Sequence, residues 1–377
     1  MNILDQFDLQ PIATLKSGFW TENTFGERIT LFTQENLLGQ LFPDLLILSV
    51  GSDEQSALKI REHLYGLYFS NSDLKIGDIG HFTGQIEVLP SILSRLISYG
   101  ILPLIIGPDQ SLSYYVYLAY CDLQQKMNLI SVEDYPNLDA IDNDVSEQNW
   151  LTNILTHTPN FLFNYSVLGF QGYLTNPAIL NSLQAMNFDC VRLGQIRSAI
   201  ESTEPYFRNA DFLSVDISAI RFSDNPESRR KGPNGLHAEE ACRLLRYAGM
   251  SNKMSSLHVS GWNKNAETDS NGFFVTSSLV AQMLWHFIEG YDSRIEEGPI
   301  GDDSAYTTYK LTESSVGKDL VFFKSNRSGR WWMNVPAGEN KEEGKPKNMI
   351  VPCNYEDYLQ AQNGEIPETW WLTFQKL

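Results

Sequence analysis

Residues 104–120 read LIIGPDQSLSYYVYLAY. An apolar run meets a Gly-Pro-Asp turn, a Gln and a Ser follow, and an aromatic-rich helical pattern begins. Such a strand-turn-helix junction places its turn at the carboxyl edge of a sheet, where α/β proteins bind their ligands. This turn carries no His, Cys or Lys. Any chemistry at the junction falls to Asp109 and Gln110.

The same pattern extends in both directions. DLLILSVG (44–51), LKIGDIG (74–80), ILPLIIG (101–107), NLISVE (128–133), FLFNYSVLGFQ (161–171), CVRLGQ (190–195), DFLSVDIS (211–218) and SSLHVSG (255–261) read as strands. Helical patterns fall between and after them, at 57–69, 86–100, 111–126, 147–157, 176–188, 236–249 and 276–291. Apolar strands without alternation, interleaved with helices, predict a mostly parallel sheet covered on both faces. Pattern alone leaves a closed barrel and an open sheet equally available. No linker divides the chain and no repeat recurs, which predicts a single domain over 1–377. Residues 292–304 and 337–348 read as polar surface loops. The Trp-rich stretch within 292–377 reads as a strand-like extension packed on the same domain.

The chain has 377 residues, 42% of them hydrophobic and 12% aromatic, enough for a sizeable core. Its net charge of −18 argues against a nucleic-acid binder, which needs a basic face. Cys121, Cys190, Cys242 and Cys353 form no CxxC pair, so neither a disulfide framework nor a zinc ribbon is indicated. MNILDQFDLQ has no basic or apolar leader pattern, and no window approaches the roughly 20 apolar residues that span a bilayer. These features predict a cytoplasmic protein with reduced thiols.

Three strand ends carry polar residues in order: GPDQS (107–111), SVEDYPNLDAID (131–142) and SVDISAIRFSD (214–224), the last followed by KGPNGLHAEEACRLLRYAG (231–249). This order resembles the arginase, agmatinase and formimidoylglutamase superfamily, the ureohydrolases. The segment PNGLHAEEACRLLRYAG carries the resemblance most specifically, with IREHLYGL (60–67) and LKIGDIG in support. The resemblance implies a three-layer αβα sandwich around a mostly parallel, about eight-stranded sheet. It also implies hydrolysis of a guanidino or formimino C–N bond at a paired manganese centre, where a bridging hydroxide attacks the amidine carbon.

The superfamily binds its metals through Gly-Gly-Asp-His-Ser, Asp-Ala-His-x-Asp and Ser-x-Asp-x-Asp. On this chain the six ligand positions fall at Gln110, Glu133, Tyr135, Asn137, Asp216 and Ser218. Both imidazoles are absent and two aspartates are replaced by neutral residues. Asp216 is kept, and Glu133 replaces an Asp. Asp109, Asp134 and Asp139 remain as residual cation or pocket residues, since Pro136 leaves the register of 133–142 open. A Glu that helps the superfamily bind its substrate falls near Gly261. Gln is a weak ligand and Tyr does not ordinarily ionise near neutrality. No catalytic residue and no cofactor is therefore expected, and manganese only if the chain is an enzyme.

Simpler roles exist for several of these residues. Asp109 and Ser111 suit the cap of the next helix, and Asp216 suits nearby loop amides. Glu239 and Glu240, beside His237, suit a helix N-terminus. His258 and His286 read as core-edge residues. Three functions stand: a non-catalytic binding or scaffold protein with an unknown protein partner or as a homo-oligomer; a divergent metal-dependent amidine hydrolase; and a small-molecule sensor using the vestigial pocket.

Overall fold

The computed structural model describes residues 3–33, 42–69, 73–142, 144–298, 303–312, 319–339 and 346–377. Ten strands among them form one sheet: β1 (Phe7–Asp8), β2 (Thr30–Leu31), β3 (Leu45–Ser49), β4 (Ile76–Phe82), β5 (Leu102–Ile106), β6 (Met127–Val132), β7 (Leu162–Phe170), β8 (Asp189–Arg192), β9 (Phe212–Asp216) and β10 (Ser256–Ser260). They lie in the order β1-β4-β3-β5-β10-β9-β6-β7-β8, with β2 also pairing to β4. All pairings are parallel except that of β1 with β4. The sheet is open, and the eight longer strands are those foreseen. The two short ones escaped notice because two residues carry no periodicity.

Strands β3, β5, β6, β9 and β10 are buried along their whole length. Helices cover both faces, which is why these strands are apolar without alternation. One core layer packs Leu45, Ile47, Leu104 and Ile106 against helices Glu54–Gly66 and Asn271–Asp292, and the other packs Leu46, Leu48 and Ile105 against Leu89–Ser98 and Leu112–Asp122. Asp53 caps the first of these helices by accepting from Ser56 N–H at 3.2 Å, so it starts ahead of the predicted residue 57. Ser270 likewise caps the helix that starts at Asn271 rather than 276, accepting from Phe273 N–H at 3.0 Å.

The chain continues into an antiparallel sheet of β11 (Tyr306–Leu311), β12 (Leu320–Ser325), β13 (Trp331–Glu339) and β14 (Pro346–Cys353), followed by helices Tyr355–Gln362 and Glu368–Lys376. Residues 337–339 and 346–348 are strand ends rather than loop, and 340–345 lie outside the described residues. Phe322, Met333, Val335, Tyr358 and Trp370 form a separate small core. Arg208 joins this unit to the main sheet, donating to the Trp331 carbonyl at 3.0 Å and the Cys353 carbonyl at 3.3 Å with its guanidinium over the Trp332 ring.

Candidate functional site

The connection from β5 runs past β10 and β9 to reach β6, and the chain then reverses after β8 to lay β9 and β10 between β5 and β6. An open α/β sheet forms its ligand crevice beside such a reversal. The carboxyl ends of these four strands bring Gln110, Glu133, Asp134, Asp216 and Gly261 to one edge.

Asp216 ends β9 and is fully buried. Its Oδ1 accepts from the Ser218 backbone N–H at 2.8 Å. Its Oδ2 accepts from Arg229 Nη2 at 2.7 Å and Arg230 Nη2 at 2.9 Å. Arg230 also grips Asp134 with two donors, Nε at 3.1 Å to Oδ2 and Nη2 to Oδ1. Its guanidinium lies 4.5 Å from the centroid of the Tyr135 ring. Arg229 makes a second ion pair with Glu147. Two guanidiniums therefore converge on one carboxylate oxygen, with further acids on either side.

Glu133 follows β6 and is sealed from water. Ser131 Oγ donates to its Oε1 at 2.5 Å and Tyr165 OH at 2.9 Å, while Gln110 Nε2 donates to Oε2 at 3.0 Å. Burial pushes this carboxyl up to about 7, against the pull of those three donors and with help from the Asp216 charge. Burial also raises Asp134 to about 6, although Arg230 opposes the shift. Arg229 falls to about 10 through burial and the neighbouring Arg230. Arg230 suffers the same burial, yet Asp216 and Asp134 outweigh it and leave the group raised.

The remaining sequence-predicted positions are dispersed. Gln110 is buried, and its Oε1 has no partner. The Ser218 hydroxyl is likewise buried and unpartnered. Asn137 is half-buried and Asp139 exposed, and neither makes a recorded side-chain bond to the cluster. Asp109 pairs with Lys264 at 2.5 Å, and helix Leu112–Asp122 has no side-chain cap at Ser111, contrary to the capping expectation. Gly261 lies at φ +100°, where a Cβ would sit 2.0 Å from Asp216 Oδ1. Glu240 caps its helix by accepting from the His237 backbone N–H at 2.7 Å. His258 is buried against Ser113 Oγ at 2.9 Å, and burial lowers it to about 4.

The arginine pair was missed by sequence reasoning. Arg229 and Arg230 lie 13 and 14 residues beyond Asp216, outside every quoted motif. Their signal was a basic doublet in an acidic chain, close to strand ends that had lost cation ligands.

No protein-family model matches the sequence, and no curated protein matches it significantly. Solved structures do match. Formimidoylglutamase from Bacillus subtilis aligns with a TM-score of 0.62 at 17% identity, covering 74% of this chain and 95% of that one. Formiminoglutamase of Trypanosoma cruzi with Mn2+ aligns at 0.61 and 18% identity, covering 67% and 95%. Agmatine ureohydrolase of Thermoplasma volcanium aligns at 0.54 and 16% identity, covering 75% and 100%. At these identities the likeness is one of fold.

Proposed function

We propose that this chain is a ureohydrolase relative in which two arginine guanidiniums take the place of the paired manganese, and that it acts as a non-catalytic binding or scaffold protein. The observation that carries this reading is the contact of Arg229 and Arg230 with the same oxygen of Asp216. A carboxylate oxygen shared by two guanidiniums is not free to bridge two metal ions. The two positive charges offset Asp134 and Asp216, so little negative charge remains to attract divalent cations.

The other donors fit the metals no better. Gln110 turns an N–H toward Glu133, and the Tyr135 ring lies against Arg230. Among the described residues, no group of three or more His, Cys, Asp or Glu side chains is arranged to hold a metal ion. Exposed Tyr173 and Leu174 follow β7 and exposed Phe222 follows β9, apolar groups at the same edge of the sheet as the arginine cluster. The unpartnered Gln110 Oε1 and Ser218 Oγ support the sensor reading as the second choice, since a small polar ligand would satisfy them.

The test is a turnover screen. Formiminoglutamate, agmatine, arginine and guanidinobutyrate are offered with manganese, and release of ammonia, urea or formamide is followed. The expected result is no turnover by the native chain. Turnover that Asp216→Asn abolishes would make the chain a working hydrolase.

A further inference from the structure

We propose that an open cleft at the carboxyl ends of β7 and β8 docks a partner protein through an acidic segment that carries an aromatic or aliphatic anchor. The proposal rests on the binding-protein reading above and names the chemistry of the partner. The cleft holds about 460 Å3, at the same edge of the sheet as Asp216, and is walled by residues 170–173, 192–195 and 197, and Asn234. Phe170 and Leu193 are buried and give it an apolar floor. Tyr173, Arg192, Arg197 and Asn234 are exposed and form its rim. Asn234 Nδ2 donates to Tyr173 OH at 3.2 Å, which ties two of the walls together.

Charge selects the partner. Two arginines line the cleft and no carboxylate does, in a chain of net charge −18. Arg197 is partly offset, with Nε 3.7 Å from Glu240 Oε2 and Nη2 donating to the Gly235 carbonyl. Arg192 is exposed and forms no ion pair among the described residues; its backbone N–H is held by Gln195 Oε1 at 2.8 Å. Lys231, three residues before Asn234, is a further exposed cation, with its ammonium 5.6 Å from the centroid of the Phe222 ring. Charges this close to one another act together on an approaching acidic segment, within the roughly 8–10 Å that salt leaves unscreened. The apolar surface runs on from Tyr173 to Leu174, 71% and 43% exposed, which suits a chain segment better than a small anion. A second copy docked about a two-fold axis would set the same arginines against each other, so the charge disfavours a homodimer through this face.

The experiment pans the native full chain against a random dodecapeptide display library at low salt. The selected peptides are then synthesised with a fluorescent label and titrated by anisotropy. They should be enriched in Asp and Glu around an aromatic or aliphatic residue and should bind saturably. Arg192→Glu should weaken them by about fivefold or more, as should high salt. Gly194→Trp should abolish binding: a Cβ there meets nothing within 4 Å, so the indole fills the cleft without displacing the backbone. Circular dichroism establishes that both variants fold. The proposal is overturned by the absence of any saturable peptide, by selected peptides that are neutral or basic, or by acidic peptides that bind both folded variants as tightly as the native chain. Saturable binding of phenylacetate without peptide binding would assign the cleft to a small anion and overturn it. So would a native dimer that Arg192→Glu dissociates in sedimentation, which would assign the cleft to a second copy. Turnover and manganese content enter none of these readouts, so failure here is distinct from failure of the binding-protein reading.

Discussion

Glu133 holds a proton in the fold that it releases in the unfolded chain. Its folded value of about 7 lies above its ordinary value of 4.5. The stabilisation is complete below pH 4.5 and is lost as pH rises through 7. It amounts to on the order of 3 kcal/mol. Asp134, raised to about 6, acts in the same direction. Stability should therefore fall between about pH 4 and 7, and Glu133→Gln should flatten that fall. Urea unfolding of both proteins across this range is the check, and equal slopes would show that Glu133 is ionised throughout.

Arg229 and Arg230 are the residues on which the site depends. Removing both leaves Asp216 buried and unpaired, which should cost about 3–5 kcal/mol. The Arg229→Ala, Arg230→Ala double variant should also bind Mn2+ more tightly than the native chain, since the carboxylates then lack a counter-charge. Denaturant unfolding with and without Mn2+ reads both effects. Asp216 and Glu133 were legible as strand-end residues. Their partners were not, because ion pairs closed across about 14 residues of irregular chain leave no periodicity to read.

At the scale of elements, the end of β10 is fitted to the arginine cluster. Gly261 adopts a backbone conformation unfavourable to other residues and brings its Cα against Asp216. Gly261→Ala should cost about 2–4 kcal/mol, because the Asp216 carboxylate and the Ile217 N–H must both shift. Thermal melting measures the loss, and a neutral substitution would mean that the turn relaxes freely. The helices Ala238–Gly249 and Asn271–Asp292 meet at Gly249 and Gly290, where a Cβ would come within 2.0 and 2.3 Å of the facing backbone. Most strands and helices were legible from apolar runs and periodicity. Element ends were less so: Asp53 and Ser270 set helix starts through side-chain caps that hydrophobic periodicity does not register.

At the scale of the molecule, Arg208 ties the antiparallel C-terminal sheet to the main one through two carbonyls and a stacked Trp332, and its own-helix partner Glu204 adds an ion pair with Arg330. We expect one cooperative melt, and Arg208→Ala should lower stability by about 3 kcal/mol or split the transition in two. A single unshifted transition would show that the docking rests on other contacts. Strand propensity announced this unit, but its pairing with the main sheet depends on contacts more than 120 residues apart. Among the described residues, no helix is long and apolar enough to cross a membrane.

The central claim is that guanidiniums occupy the role of paired cations beside Asp216. Elemental analysis of the full chain, purified with manganese supplied throughout, tests it most directly. The account predicts well under one manganese per chain. Two tightly bound manganese ions per chain would contradict it.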